Sequence, residues 1–289
     1  MREPAWGLLI VVYLFAGGLS AGAMMISAAA LLVGRGDRSQ RIARVGALCA
    51  PLPVIVGTAL LVFDLGRPFF FWKLFVAFRP ASVMWIGSWL LAVFSLLSVA
   101  YAYLHLPERW QRWPSSDAAV WRRRLAIAGL PLGVAVAVYT AVLLGVLVAR
   151  PLWNTPLLSM LFLVSALSSA AGMLMLLVPP DEQHRLSTAD VALLGVELAV
   201  MAALLVFGTQ STPSVHDAIR VLAGGQQAAL FWLGVILLGL VVPLGVETAV
   251  TRRTPYGGHL TVIAASLVVF GGFLLRYVIV YAGQASALG

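Results

Sequence analysis

One continuous apolar stretch decides the fold class of this chain. Residues 7–33 read GLLIVVYLFAGGLSAGAMMISAAALLV and contain no charged side chain. A helix needs roughly 20 apolar residues to cross a membrane, so this stretch is long enough to span one. The small residues Ser20 to Ala23 would suit a signal-peptide cleavage site, but the apolar run exceeds a usual signal core and little positive charge precedes it. We therefore predict that it is retained as a membrane-spanning helix.

Comparable apolar stretches recur along the whole sequence. Of its 289 residues, 61% are hydrophobic and 10% are charged, whereas about a quarter of a soluble domain is charged. The runs are continuous rather than alternating, which indicates helices and not barrel strands. We predict an all-α polytopic membrane protein in which residues 1–289 form a single integral membrane domain with eight transmembrane helices. The predicted spans are about Gly7–Val33, Val45–Phe63, Ala81–Leu106, Leu125–Ala149, Leu157–Val178, Val191–Gly208, Phe231–Ala249 and Leu260–Ala282.

The sequence lacks the residues that most metal and nucleotide sites need. Cys49 is the only cysteine, which excludes an internal disulfide and a site with several thiolate ligands. His105 and His259 fall at predicted span ends, so paired histidines for a haem at mid-membrane depth are not expected. No glycine-rich nucleotide motif in a strand-to-helix context is present. We therefore expect neither haem nor metal in this protein.

The basic residues predict which side each loop faces. The sequence has 19 Lys and Arg residues against 11 Asp and Glu, and these bases punctuate the apolar runs instead of forming a nucleic-acid-binding patch. With eight spans, six bases lie on the side of the two termini and twelve on the other side. Because cytoplasmic loops carry the excess of Lys and Arg, both termini are predicted to be periplasmic or external. We call their face the terminus side, and the opposite face the basic side.

Polar residues cluster on the terminus side in three Arg-Pro pairs. Arg67, Arg79 and Arg150 each precede a proline. Proline prevents a helix from continuing and a base stabilises its partly negative C-terminus, which explains part of the clustering. Asp64 lies three residues before Arg67, hence on the same helical face, and close to the aromatic residues 69–72. Those aromatic residues are typical of an interfacial anchor, and a flat ring ligand would use the same side chains.

Three ionisable residues fall inside the predicted spans: Glu197, Glu247 and Arg276. An ionisable group at a helix centre costs about 2.5 to 3.5 kcal/mol on insertion scales, so a function is the default hypothesis. The two glutamates could belong to a proton path, or they could snorkel or bond to a neighbouring helix. Arg276 could be an interfacial anchor or an internal counter-ion.

Two tyrosines lie in the terminus-side halves of predicted spans. Tyr13 is about two turns into the first span, and Tyr139 lies roughly 16 Å below Arg150 at about 1.5 Å per residue. A phenol at this depth needs a hydrogen-bond partner, which either a backbone carbonyl or a ligand carbonyl would provide.

Short motifs in a fixed order run through the eight predicted spans. They are residues 13–22 (YLFAGGLSAG), 64–68 (DLGRP), 78–85 (FRPASVMW) with Gly87 and Trp89, 150–156 (RPLWNTP), and 275–276 (LR) with 281–284 (YAGQ). Together they resemble the NrfD/PsrC family, the integral membrane subunits of polysulfide-reductase-type complexes.

The resemblance implies an eight-helix quinone-binding subunit with its quinone site in the first four-helix bundle. By family analogy Tyr139 bonds the headgroup of a menaquinone or ubiquinone, and Tyr13 stands where some relatives have a histidine. The predicted quinone site also includes Asp64, Arg67, Arg150, Trp153 and Asn154. Asp64 would exchange protons with the aqueous phase, and the arginines would stabilise negative charge that develops on the quinone oxygens. Glu197, Glu247 and Arg276 are the further candidates for proton transfer.

The same resemblance implies partners that carry the metal centres. An iron–sulfur subunit of the ferredoxin-like, four-cluster type is expected on the outer face, with Lys73, Arg79 and Trp153 in the docking surface. A molybdopterin catalytic subunit or a multihaem cytochrome would complete an oxidoreductase in a bacterial or archaeal cytoplasmic membrane. The protein would then be the quinone-reactive subunit and would not be catalytic alone.

Two other functions remain open from the sequence. A proton-coupled secondary transporter would use the ionisable residues inside the spans, although the broken helices usual in such proteins are not paired between related halves. A membrane anchor with a degenerate quinone site would account for the missing first-helix histidine.

Overall fold

The computed structural model describes residues 6–34, 36–64, 68–76, 78–79, 81–111, 117–146, 150–253 and 258–285. Within these ranges the protein forms helices joined by short turns, and no strand. The α-helices are α1 Leu8–Leu32, α2 Asp37–Cys49, α3 Pro51–Asp64, α4 Lys73–Val76, α5 Val83–His105, α6 Ala118–Gly145, α7 Pro156–Met175, α8 Pro180–Thr209, α9 Pro213–Gly224, α10 Val242–Arg253 and α11 His259–Ala285. A π-helical segment, Leu230–Val241, runs directly into α10.

Among the described residues, eight helical segments are long and apolar enough to cross a membrane, which confirms the predicted fold class. Two of them are composite. Helices α2 and α3 form one span, Asp37–Asp64, and the π-helical segment with most of α10 forms another, Leu230–Arg252. All eight apolar runs of the sequence therefore correspond to helical spans.

Several spans are longer than their apolar runs predict. Helix α2 begins at Asp37 rather than Val45, and α8 begins at Pro180 rather than Val191. Hydropathy marks only the part of a helix that lies in hydrocarbon, whereas the helix itself continues through the polar interface. Helix α6 ends at Gly145, and residues 147–149 of its predicted span lie outside the described residues.

Helix α1 is the central element of the fold. It packs against α2, α3, α6, α7 and α11, and 72% of its most apolar window is buried, against 22% for α5. The first four spans and the last four form two bundles that meet along α1, α6, α7 and α11. We call them the first bundle and the second bundle.

A short helix on the terminus side was not predicted from the sequence. With 12 residues, α9 is too short to cross a membrane. It buries Ala218, Ile219 and Leu222 and packs against α8, α11 and the turn Pro151–Trp153. It therefore covers the terminus-side end of the second bundle.

Candidate functional site

Tyr13 and Tyr139 lie inside the first bundle at similar depths. Tyr13 is about 8 Å from the start of α1, and Tyr139 is about 9 Å from the end of α6, at about 1.5 Å per residue. Tyr139 is therefore shallower than the sequence predicts, because α6 ends before Arg150. Both side chains are buried, and their phenols are close enough to interact electrostatically.

Each tyrosine rests on a glycine of a neighbouring helix. The ring of Tyr13 packs against Gly57 of α3, and the ring of Tyr139 packs against Gly87 of α5. A Cβ atom at Gly87 would overlap the Tyr139 hydroxyl, so no larger residue fits there without moving the ring. Four helices, α1, α3, α5 and α6, thus converge on the two phenols.

The first bundle also contains buried polar atoms that lack a partner. The hydroxyl groups of Tyr13 and Thr58 and the indole nitrogen of Trp85 have no hydrogen-bond partner among the described residues. A buried polar group without a hydrogen bond costs about 1 to 3 kcal/mol on mutational scales. Such atoms in a tightly packed bundle are the groups that a ligand acceptor would satisfy.

Asp64 is exposed, whereas the two tyrosines are buried. It is the last residue of α3, its side chain is exposed, and it forms no ion pair with the described residues. Its predicted partner Arg67 lies outside the described residues. Asp64 therefore faces the aqueous edge of the terminus side and is not part of the buried tyrosine pair.

Arg150, Trp153 and Gln284 join three segments on the terminus side. Trp153 is 2% exposed, stacks on Trp6 with 5.4 Å between ring centroids, and donates from Nε1 to the carbonyl of Ile279 at 2.9 Å. Gln284 accepts from the Trp6 amide at 3.2 Å and donates to the Trp6 carbonyl at 3.0 Å. Arg150 donates from Nη1 to the Gln284 carbonyl. We call Trp6, Arg150, Trp153 and Gln284 the terminus clasp.

The terminus clasp changes the interpretation of two predicted site residues. The Arg150 guanidinium caps the C-terminal end of α11, where the helix dipole is negative. Trp153 is buried, so it offers no exposed surface to a docking partner. Gly283 makes room for it, since a Cβ atom there would overlap the indole ring.

Asn154 lies between two cavities at this end of the molecule. One, of about 280 Å³, lies between the start of α5, the end of α6 and the start of α7, and includes Trp153 and Ser159. The other, of about 140 Å³, lies between α7, α8 and α9. Asn154 lines both, whereas Tyr13, Tyr139 and Asp64 line neither.

Arg276 is fully buried in the second bundle, about 14 Å from the end of α11. Its Nη1 donates to the Gly272 carbonyl at 2.7 Å and to the Ser165 hydroxyl at 3.2 Å. Its guanidinium carbon lies 5.6 Å from the ring centroid of Phe15 and 5.2 Å from that of Phe162. These contacts exclude an interfacial anchor and indicate an internal counter-ion.

Glu197 is the acidic group that faces Arg276. It is 3% exposed, interacts with Arg276 electrostatically and lies against the Ser165 hydroxyl. No direct ion pair within 4.0 Å joins the two charged residues in the described part of the chain. Ser165 on α7 therefore connects α8 to α11.

A second acidic group lies nearer the basic side. The Ser187 hydroxyl donates to Glu247 Oε2 at 3.1 Å, and Asp190 lies against Glu247 and Ser168. Both carboxyl side chains are 0% exposed, and neither Asp190 oxygen has a hydrogen-bond partner among the described residues. Two buried carboxyl groups that lie against each other repel when both are ionised.

Asp190 was not predicted as a member of this acidic group. The apolar run places it at the cytoplasmic end of the sixth span, but α8 extends ten residues further, to Pro180. One signal was available: Asp190 and Glu197 are seven residues apart and hence on one helical face. The serines on α7 were not distinguishable from ordinary small residues of a membrane helix interface.

Lys73 and Arg79 lie on the exposed terminus side. The Lys73 ammonium lies 4.6 Å from the ring centroid of Phe70 and 5.9 Å from that of Trp72, and Arg79 is exposed without an ion pair among the described residues. No group of three or more His, Cys, Asp or Glu residues that could hold a metal was found in the described part of the chain.

Comparisons with known proteins agree with this architecture over nearly the whole sequence. The family model described as "Polysulphide reductase, NrfD" matches residues 2–287. A polysulfide reductase chain of Wolinella succinogenes is 33% identical, with 96% of this chain and 94% of the relative covered. Protein NrfD of Escherichia coli is 31% identical, with 96% and 95% covered. A selenate reductase subunit of Mesobacillus selenatarsenatis is 25% identical, with 96% and 73% covered. The chain is therefore a member of the polysulphide reductase NrfD family.

Proposed function

We propose that this protein is the membrane subunit of a respiratory oxidoreductase and exchanges electrons between the quinone pool and a docked iron–sulfur subunit. Family membership and the names of the relatives, which are parts of polysulfide and selenate reductases, support the class of complex. The observation that carries the quinone role is the buried Tyr13 hydroxyl, which has no hydrogen-bond partner among the described residues and lies near Tyr139 in the first bundle.

Tyr13 and Tyr139 fit a quinone headgroup. Menaquinone or ubiquinone, when bound, supplies a two-electron, two-proton carrier whose carbonyl oxygens accept hydrogen bonds. The Tyr13 hydroxyl has no partner among the described residues and can donate to such an oxygen, while Gly87 keeps the Tyr139 ring in place. The apolar surroundings exclude water and strengthen each hydrogen bond. Tyr139, Tyr13 and the carboxylate Asp64 are the residues on which quinone binding and proton exchange depend in this proposal.

Asn154 and the cavity it lines suggest how a quinone enters. The cavity of about 280 Å³ opens between the ends of α5, α6 and α7, on the same side as the tyrosines. Trp153, which belongs to the terminus clasp with Arg150, lines its wall. Arg67 would add positive charge after the end of α3. In this proposal these residues position the entrance, and the tyrosines hold the headgroup.

Proton transfer is proposed for two groups of residues. Asp64 is exposed on the terminus side and exchanges protons with water there. In the second bundle, the Asp190–Glu247 pair and the group of Glu197, Ser165 and Arg276 lie on the buried faces of α7, α8, α10 and α11. Together they supply titratable groups from the basic side to about the level of Arg276, which supports a proton path into the bundle.

The proposed partner is an iron–sulfur subunit of the four-cluster type on the terminus side, with Lys73 and Arg79 in its docking surface. A molybdopterin subunit or a multihaem cytochrome would complete the complex. We place the protein in a bacterial or archaeal cytoplasmic membrane with both termini outside, because twelve bases lie on the basic side and six on the terminus side.

The test is quinol-coupled turnover of the purified complex with Tyr139→Phe, which removes one hydroxyl and keeps the ring. We expect a loss of about 10-fold or more in turnover, since general acid–base and hydrogen-bond donors contribute about 10²–10⁴-fold. Tyr277→Phe, on a half-buried tyrosine of α11, is the matched control and should retain full turnover. Unchanged turnover in Tyr139→Phe, with the complex intact, would remove the tyrosine from the proposal.

A proton-coupled transporter is the second candidate, because the buried carboxylates and Arg276 of the second bundle would suit it. It predicts substrate uptake by the isolated protein in liposomes under a proton gradient. An anchor with a degenerate site predicts neither uptake nor any bound quinone in the purified complex. Extractable quinone that is lost in Tyr139→Phe would contradict both alternatives.

A further inference from the structure

A large cleft opens at the basic side of the first bundle, and neither the two tyrosines nor the acidic groups of the second bundle line it. It has a volume of about 870 Å³, within the range of about 300–1,000 Å³ typical of small-molecule sites. Its walls come from the end of α1, the start of α2, the end of α5 and the start of α6. The cleft therefore lies where four helix ends meet the membrane interface.

The charge of this cleft is strongly positive. Four arginines line it, Arg41, Arg44, Arg109 and Arg122, against the single carboxylate of Asp37 among the described residues. The first turns of α2 and α6 also lie at its wall and add the partial positive charge of two helix N-termini. An anion is the ligand that this arrangement favours.

Two of the four guanidinium groups are held in position by the protein. Arg122 donates from Nε to the Leu104 carbonyl at 2.9 Å, and Arg41 Nη1 lies 3.4 Å from Glu182 Oε1. A guanidinium has five N–H donors in a fixed fork, so both retain donors for a ligand. Arg44 and Arg109 have no hydrogen bond or ion pair with the described residues and are the donors available to an anion.

Aromatic side chains next to the cleft indicate its depth in the membrane. Trp110 and Trp121 are 64% and 47% exposed and directly adjoin Arg109 and Arg122 in the sequence. Exposed tryptophans concentrate at the level of lipid headgroups. The cleft also has apolar walls at Leu31 and Leu106, which would contact the glycerol and upper acyl region of a lipid.

We propose that this cleft binds a phosphate-bearing anion. Planar guanidinium groups match phosphate oxygens in bidentate geometry, and basic pockets between membrane helices on the cytoplasmic side bind anionic headgroups. The chemistry is common to the headgroup of an anionic phospholipid and to free phosphate. The site is independent of the quinone role, because it shares no residue with it.

The experiment titrates the full-length protein in neutral detergent with phosphatidylglycerol and, separately, phosphatidylcholine, and counts bound lipids by native mass spectrometry. We expect preferential retention of phosphatidylglycerol, weakened about 30-fold in the double variant Arg44→Gln/Arg109→Gln, since each arginine near a membrane surface contributes about 1 kcal/mol. Arg252→Gln, an exposed arginine on the same side outside the cleft, is the matched control and should bind normally.

A second variant tests whether removing a negative charge from the cleft strengthens the binding of an anionic lipid. Asp37→Asn removes the carboxylate of the cleft lining and should strengthen phosphatidylglycerol binding severalfold. It keeps the proposal testable if the double variant fails to fold.

A parallel titration with inorganic phosphate separates the two sources. If millimolar phosphate displaces the lipid and this competition depends on Arg44 and Arg109, the site takes free phosphate as well; if it does not compete, the ligand is the lipid. Either result supports the proposal. Equal binding of phosphatidylglycerol and phosphatidylcholine, equal weakening in Arg252→Gln, or no gain in Asp37→Asn would overturn it.

Discussion

At the scale of single residues, the contact between Tyr139 and Gly87 links two sequence segments that are far apart in the chain. Gly87 follows the motif of residues 78–85, and its missing side chain leaves the volume that the Tyr139 phenol fills. The motif glycine is therefore explained by steric packing against a tyrosine rather than by backbone conformation.

This packing predicts the effect of Gly87→Ala. The added methyl group would overlap the Tyr139 ring, so we expect a loss of about 1–3 kcal/mol in stability and lower quinol-coupled turnover. Gly195→Ala is the control, because Gly195 lies inside α8 and a Cβ atom there would contact nothing within 4 Å. It should be stabilising by about 0.5–1 kcal/mol. Denaturant unfolding in detergent measures both, and equal stabilities would contradict the packing argument.

A second prediction at the scale of single residues concerns the buried charges of Arg276 and Glu197. Arg276→Met leaves the Glu197 carboxylate buried without the positive charge that faces it, and we expect a loss of about 1–3 kcal/mol because the two groups are not in direct contact. Adding Glu197→Gln should recover much of that loss, because the uncompensated charge is then gone. A double-mutant cycle followed by unfolding in detergent measures the coupling, and additive effects of the two substitutions would show that the residues do not interact.

At the scale of helices, two ion pairs connect the start of α2 to the start of α8. Arg38 pairs with Asp181 and Arg41 with Glu182, each at 3.4 Å. The pairs differ in burial: the Glu182 side chain is 0% exposed, whereas Arg38 and Asp181 are 56% and 32% exposed. The two ion pairs are therefore expected to contribute unequally to stability, although their N···O distances are equal.

We expect Arg41→Gln to destabilise the protein more than Arg38→Gln. Removing Arg41 leaves a buried carboxylate without its partner, a loss of about 1–3 kcal/mol. Removing Arg38 breaks a partly exposed pair, which contributes about 0–1 kcal/mol. Thermal unfolding of the two variants, at low and high salt, provides the comparison. A larger loss in Arg38→Gln would contradict the burial argument.

The helices themselves could be predicted from the sequence, but several side-chain environments could not. Continuous apolar runs identify each span because backbone groups in lipid must be satisfied within the helix. The same runs do not show how far α8 continues beyond the hydrocarbon. Asp190 was therefore predicted at the membrane edge, although α8 begins ten residues earlier, at Pro180. Trp153 was expected in the docking surface, and Arg276 was left open between an interfacial anchor and an internal counter-ion, because a one-dimensional pattern does not contain the packing of α11 against the turn Pro151–Trp153 and α7.

At the scale of the whole molecule, the unequal distribution of arginines predicts its orientation. With Cys49→Ser as background, Asn154→Cys should react with a membrane-impermeant maleimide added to intact spheroplasts, because Asn154 is exposed on the terminus side. Arg123→Cys, exposed on the basic side, should react only in inverted vesicles. The reverse pattern would invert the proposed topology and move the docking surface to the cytoplasm.

The terminus clasp joins residues that are synthesised far apart in time. Trp6 and its partner Gln284 are 278 residues apart in the sequence. At a translation rate of about 5–20 residues per second, about 14–56 s separate the synthesis of Trp6 from that of Gln284. Helix α1 must therefore be held in the bilayer by the insertion machinery or by early neighbours such as α3 and α6, and the clasp closes only after α11 has been synthesised.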